Sequence, residues 1–180
     1  MTPKLDLDDY LPYLLNRAGA KIADAFGKVT RRHGISLQMW RVLAALNERD
    51  GQSVGSLAKM TSIDISTLSR LLDQMQRERL LLRQRDGTDQ RSVSIHRTQA
   101  AAAITQKLIP VALAYERKAL TGFQKGEEKT LRAMLRRLYR NLDSLGESEL
   151  EATARKSQAN RRGAPKPVKQ SGVRPARSSS

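Results

Sequence analysis

Ser66, Thr67, Ser69, Arg70 and Gln74 fall within one short stretch of the chain. These side chains could read nucleic acid. Arginine can donate to guanine O6 and N7 or to a phosphate, glutamine can pair with adenine, and hydroxyls can hold phosphates. A second group follows, in which Arg83, Arg85 and Arg91 flank Asp86-Gly87-Thr88-Asp89-Gln90. Arginine suits the narrow, strongly negative minor groove of A·T-rich DNA. Asp89, two positions before Arg91, can orient its guanidinium. The plainer alternatives are a solvated helix face for the first group and a charged, solubilising turn for the second.

Other chemistries find less support. The chain has no cysteine, which excludes disulfides, thiolate metal sites and cysteine nucleophiles. Its two histidines, His33 and His96, do not suggest a metal centre. There is no Gly-rich phosphate loop, no spacing for a nucleophile–His–Asp set and no metal-ligand spacing. Asp86 and Asp89 are a carboxylate pair in spacing only. Set among arginines on an expected turn, they suit a structural role. The expectation is a protein that is not an enzyme, with no catalytic residue, metal or cofactor.

The 180 residues include 33 Lys plus Arg against 18 Asp plus Glu, a net charge of +15. Such an excess calls for an anionic partner, with nucleic acid first and an anionic membrane second. Aromatics at 4% argue against rows of base-stacking rings. No apolar run approaches the roughly 18–20 residues that span a bilayer, and the acidic start does not resemble a signal peptide. A cytoplasmic protein with no membrane partner is expected. Residues 151–180 hold Arg155, Lys156, Arg161, Arg162, Lys166, Lys169, Arg174 and Arg177 against Glu151 alone, with three prolines and few aliphatics. Such a segment cannot bury enough apolar surface to offset its ordering entropy. Two regions are therefore expected: a folded domain over 1–147, and a disordered basic tail over 148–180. The tail serves either as a solubiliser or as a phosphate-binding arm.

Hydrophobic period places the first polar group on a helix. Over 9–31, Leu11, Leu15, Ala18, Ile22, Ala25 and Val29 repeat at 4-3-4-3-4, a heptad seam. Leu131, Leu135, Leu138, Leu142 and Leu145 repeat at 4-3-4-3 over 127–145. These two seams predict long helices that pack on a partner chain, hence a homodimer. Between them, shorter helices are predicted at 36–48, capped by Ser36, at 53–60 and at 65–79. Asp86-Gly87 between two extended runs, 80–85 and 92–96, signals a β-hairpin. A long helix from Thr98 to Gly122 contains Pro110, which should kink or split it. At about 100° per residue, Ser66, Arg70, Asp73 and Arg77 lie opposite Leu68, Leu71, Leu72 and Met75. The expected fold class is mainly α: a winged helix-turn-helix with long terminal dimerisation helices and a small β-hairpin wing.

Residues 66–75, STLSRLLDQM, and 83–92, RQRDGTDQRS, resemble the MarR family of bacterial transcriptional regulators. The likeness runs from about residue 9 to 145. The second stretch resembles the family's wing, with its aspartate–any–arginine element at Asp89 and Arg91. One departure is Arg79, which stands before Leu80-Leu81 where the family usually has glycine. The resemblance implies a homodimer whose first and last helices interlock, a recognition helix at 65–79 and a wing-tip arginine at 91. It also implies a palindromic double-stranded DNA operator, and repression relieved by a small effector such as an aromatic acid or thioester. Arg17, Trp40, Arg41 and Tyr115 are then candidates for lining an effector cleft. The family's peroxide-sensing branch needs a cysteine, which this chain lacks. The alternative function is an architectural DNA-binding protein with little sequence preference.

Overall fold

A computed structural model describes residues 4–85 and 93–145. Residues 1–3, 86–92 and 146–180 lie outside the described residues, and with them Asp89, Arg91 and the basic tail. The chain divides into two compact units, one ending at Gly122 and one beginning at Phe123.

The first unit contains α1 (Leu11–Arg32), α2 (Leu37–Glu48), β1 (Gln52–Ser53), α3 (Val54–Thr61), α4 (Ile65–Arg77), β2 (Leu81–Arg85), β3 (Val93–Arg97) and α5 (Gln99–Ala119). This is the expected winged helix-turn-helix order. Its core joins Ile35, Met39, Val42, Leu43 and Leu46 to Leu57 of α3, to Leu68, Leu72 and Met75 of α4, and to Leu81, Ile95 and Leu108. The starts of α2 and α3 are set by their own residues. Ser36 caps α2 by accepting the Met39 N–H at 3.1 Å, and Ser53 caps α3 by accepting that of Ser56 at 3.2 Å. His33 closes α1 as its C-cap.

The sheet has the order β1-β3-β2, all antiparallel. The hairpin pairs Leu81 with Arg97 and Arg85 with Val93. On its other edge β3 pairs with β1 through Gln52↔Ile95 and Ser53↔Ser94. Sequence pattern did not anticipate β1, because two residues carry no period. Buried Gln52 fastens the junction. Its Nε2 donates to the carbonyls of Ala45, at 3.1 Å, and Arg49, at 2.9 Å, and its Oε1 accepts from Ser56 Oγ at 2.7 Å. A side chain at Gly51 is barred twice. The φ there is +70°, and a Cβ would meet the His96 ring at 2.9 Å.

Helix α4 stops in a paired-bond motif. The Leu80 N–H donates to Met75 O at 2.9 Å and the Arg79 N–H to Gln76 O at 3.0 Å. This pairing requires a left-handed residue at Arg79, whose φ is +58°. Thr98, the N-cap of α5, donates its hydroxyl to Arg79 O at 2.9 Å and clamps the turn. A non-glycine residue in this conformation costs roughly 1–2 kcal/mol. Arg79→Gly is therefore expected to stabilise the protein by about 1 kcal/mol, read as a higher midpoint in denaturant unfolding. An unchanged or lower midpoint would show that the arginine side chain compensates the strain.

Pro110 does not split α5, which runs unbroken from Gln99 to Ala119. Ala101, Thr105 and Leu108 anchor the preceding turns in the core, while Gln106 and Pro110 are exposed. The carbonyl that loses its donor therefore belongs to a solvent-side residue, where the loss is tolerated.

The two seam helices differ from the core helices. In α1, Phe26 and Thr30 are buried, but Leu11, Leu14, Leu15 and Ile22 are exposed. The second unit's described helix is α6 (Glu127–Ser144), and none of its residues is buried.

Candidate nucleic-acid interface

Helix α4 separates its two kinds of side chain cleanly. Leu68, Leu71, Leu72 and Met75 are buried, whereas Ser66, Thr67, Ser69, Arg70, Asp73, Gln74 and Arg77 are exposed. The helix follows a three-residue turn in which Ser62 is left-handed, at φ +53°, and Ile63 is buried. Asp64 caps the helix. Its carboxylate accepts the Ser66 hydroxyl at 2.6 Å and the N–H groups of Ser66, at 2.9 Å, and Thr67, at 3.2 Å. The Ser66 hydroxyl, then those backbone donors, hold its carboxyl below the ordinary carboxylate range. The cap thus occupies the Ser66 hydroxyl proton and two of the free N–H groups of the helix end. The Gln74 amide is turned along the helix and donates to Glu78 Oε1 at 2.9 Å. Arg70 and Ser69 stand free of these local bonds in position.

Strand β2 brings a second cationic group beside α4. Arg83 pairs with Asp73 across 2.6 Å, tying the exposed face of the helix to the hairpin. Sequence pattern placed Asp73 on the polar face but did not foresee this partner. Arg85 ends β2 and is exposed, opposite Val93 in the register. The hairpin base is braced from behind by Asp50, which accepts the Arg97 N–H at 3.1 Å and lies 3.1 Å from His96 Nδ1. His96 Nε2 lies 3.0 Å from Ser94 Oγ, so a serine–histidine–aspartate chain of contacts does exist, contrary to the expectation from spacing. Ser94 Oγ also reaches the Gln84 carbonyl, at 3.2 Å, across the hairpin. Its hydroxyl is thus engaged inside the sheet, and the chain serves as a brace. His96 is partly buried there.

Of the four candidates for an effector cleft, the structure brings together two. Phe26 stands edge-on to Trp40 at 5.4 Å and to Tyr115 at 5.8 Å between ring centroids. Phe26 is not among the seam positions that the apolar period of α1 picks out, so spacing alone did not find it. Arg17 lies nine residues before Phe26 on α1, about 13 Å along the axis. It pairs there with Asp8 at 3.4 Å and covers the Tyr13 ring at 5.6 Å. Arg41 is exposed on α2. Among the described residues, no group of His, Asp or Glu could hold a metal ion, and no helix is long and apolar enough to cross a membrane.

A polar-faced helix after a tight turn, flanked by an arginine-bearing hairpin, defines a winged-helix DNA-binding protein. Comparisons agree. The MarR family model matches residues 35–93. A solved MarR-family transcriptional regulator from Silicibacter pomeroyi is 31% identical, with a TM-score of 0.71, over 81% of this chain and 99% of that one. The HTH-type transcriptional regulator PecS of Dickeya dadantii is 29% identical over 78% of this chain and 87% of PecS. BpsR of Bordetella bronchiseptica, solved in a study of how 6-hydroxynicotinic acid regulates its DNA binding, shares the fold. It is 21% identical with a TM-score of 0.69, over 76% of this chain and 98% of BpsR. The chain belongs to the MarR family of DNA-binding transcriptional regulators.

Proposed function

We propose that this protein is a homodimeric repressor that reads a palindromic operator and is released from it by a small aromatic ligand. The observation that carries the reading is α4, which commits Leu68, Leu71, Leu72 and Met75 to the core while Ser69, Arg70 and their neighbours remain exposed beside the hairpin. Helices α1 and α6 each leave an apolar seam uncovered, which supports a partner chain. The Phe26–Trp40–Tyr115 cluster supports aromatic-ligand recognition, as does the 6-hydroxynicotinic acid that regulates DNA binding by BpsR. In this proposal Arg70 reads base edges in the major groove, with Ser66, Thr67, Ser69 and Gln74 around it. Arg85 and Arg91, the latter oriented by Asp89, follow the minor groove.

Binding-site selection and footprinting test the reading. Arg70→Ala should weaken operator binding by about 1–3 kcal/mol and relax preference at one position of each half-site. Arg91→Ala should instead weaken sites with A·T-rich flanks and leave the central preference intact, because the minor groove is read by width. If both variants bind the selected site as wild type does, this surface is not the DNA-reading one. The basic run 151–180 favours a second reading, an architectural DNA-binding protein. Equal affinity for the selected site and for random DNA would establish that reading in place of the first.

A further inference from the structure

We propose that Ile65 reads the C5-methyl group of a thymine in the major groove; this rests on α4 being the recognition helix. Ile65 is the first residue of α4 and is 59% exposed, although hydrophobic period groups it with the core. The other aliphatic positions of that helix, Leu68, Leu71, Leu72 and Met75, are at most 8% exposed. Ile65 is therefore the one large apolar side chain that α4 offers outward, and it does so at the N-terminal end that reaches base edges in helix-turn-helix docking.

Its surroundings hold it in place. Buried Ile63 fixes the turn behind it, and the Asp64 carboxylate binds the N–H groups of Ser66 and Thr67 just ahead. The same carboxylate uses up N–H groups that could otherwise cradle a phosphate, and its charge repels one. What this end of the helix presents forward is a β-branched hydrocarbon with few rotamers to lose. On the major-groove floor of unmodified DNA the apolar feature is the thymine methyl, and aliphatic contact with it distinguishes thymine from cytosine.

The probe is the duplex recovered by binding-site selection, with each thymine replaced in turn by 2′-deoxyuridine. The replacement keeps base pairing and removes only the methyl. Wild type should lose affinity by about fourfold at one thymine of each half-site, the worth of one buried methyl-sized group. Ile65→Ala should bind the thymine duplex correspondingly less well and show no further loss at that position. Because Ile65 is exposed, the variant should melt as wild type does. Arg70→Ala should keep the full uracil penalty. If Ile65→Ala keeps that penalty too, or if wild type ignores every replacement, the methyl contact is refuted while the recognition helix stands. If Arg70→Ala and Arg91→Ala leave affinity untouched, the recognition-helix reading falls and takes this contact with it.

Discussion

Leu135→Glu combined with Leu138→Glu is expected to turn the protein into monomers or aggregates and to weaken operator binding by roughly a hundredfold or more, the gain that linking two binding modules ordinarily confers. Both residues lie on the 4-3-4-3 seam of α6. Leu131, Leu135, Leu142 and Leu145 of that seam are 36%, 39%, 57% and 40% exposed within the chain. A single leucine contributes about 1.5–3 kcal/mol when fully buried, and a two-fold interface counts each substitution twice. Four carboxylates placed in an apolar seam would add desolvation and mutual repulsion. Sedimentation velocity reads the outcome directly. A soluble double variant that sediments as a dimer would place the interface elsewhere.

Gln52→Leu is expected to destabilise the fold by about 3 kcal/mol, lowering the melting temperature by roughly 6–12 °C for a chain of this size. The replacement nearly preserves volume, so the loss is one of hydrogen bonds. Gln52 is 1% exposed, and its amide serves two carbonyls at the end of α2 and one hydroxyl at the start of α3. The Ala45 carbonyl keeps the Arg49 N–H, at 3.1 Å. The Arg49 carbonyl and the Ser56 hydroxyl, whose bonds to Gln52 are partly buried, lose this partner, at about 1–3 kcal/mol for each group that stays unpaired. Denaturant unfolding with an unchanged slope would isolate the effect. A variant as stable as wild type would mean that water takes over these bonds.

Much of this architecture was legible because its signals are periodic or local. The helix boundaries followed from apolar spacing and from caps such as Ser36, and the hairpin from alternating Val93 and Ile95 beside a turn-forming dipeptide. The polar face of α4 was legible for the same reason, since a helix with four leucine or methionine positions on one side has only one way to sit. What escaped were features that depend on distant partners or on single conformations. Strand β1 is two residues long and exists only because β3 lies beside it. The Arg83–Asp73 pair joins two elements whose approach no spacing encodes. Ile65 shares the hydrophobicity of Leu68 but not its burial, because it stands at the helix end, beyond the reach of the core. Arg79 was visible as a departure from a family glycine. The paired carbonyl bonds at the end of α4 explain why the departure matters.

The pairing of Gln52 with Ile95 also bears on the order in which the molecule assembles. Helices α2, α3 and α4 are sequence neighbours and can dock through short connections. The β1–β3 bridge must instead join Gln52 to Ile95, far apart in sequence, and such closure costs entropy that local docking does not. A two-stranded hairpin is marginal by itself, so the wing gains its full protection only after that closure. Helix α4 is then expected to form early and the hairpin to complete late. In the native ensemble the same asymmetry runs backwards. Backbone amides of β2 and β3 should exchange with solvent through partial openings that leave α4 intact. Helix α4 and the hairpin are thus expected to have separate lifetimes, with only the hairpin interrupted when the bridge opens.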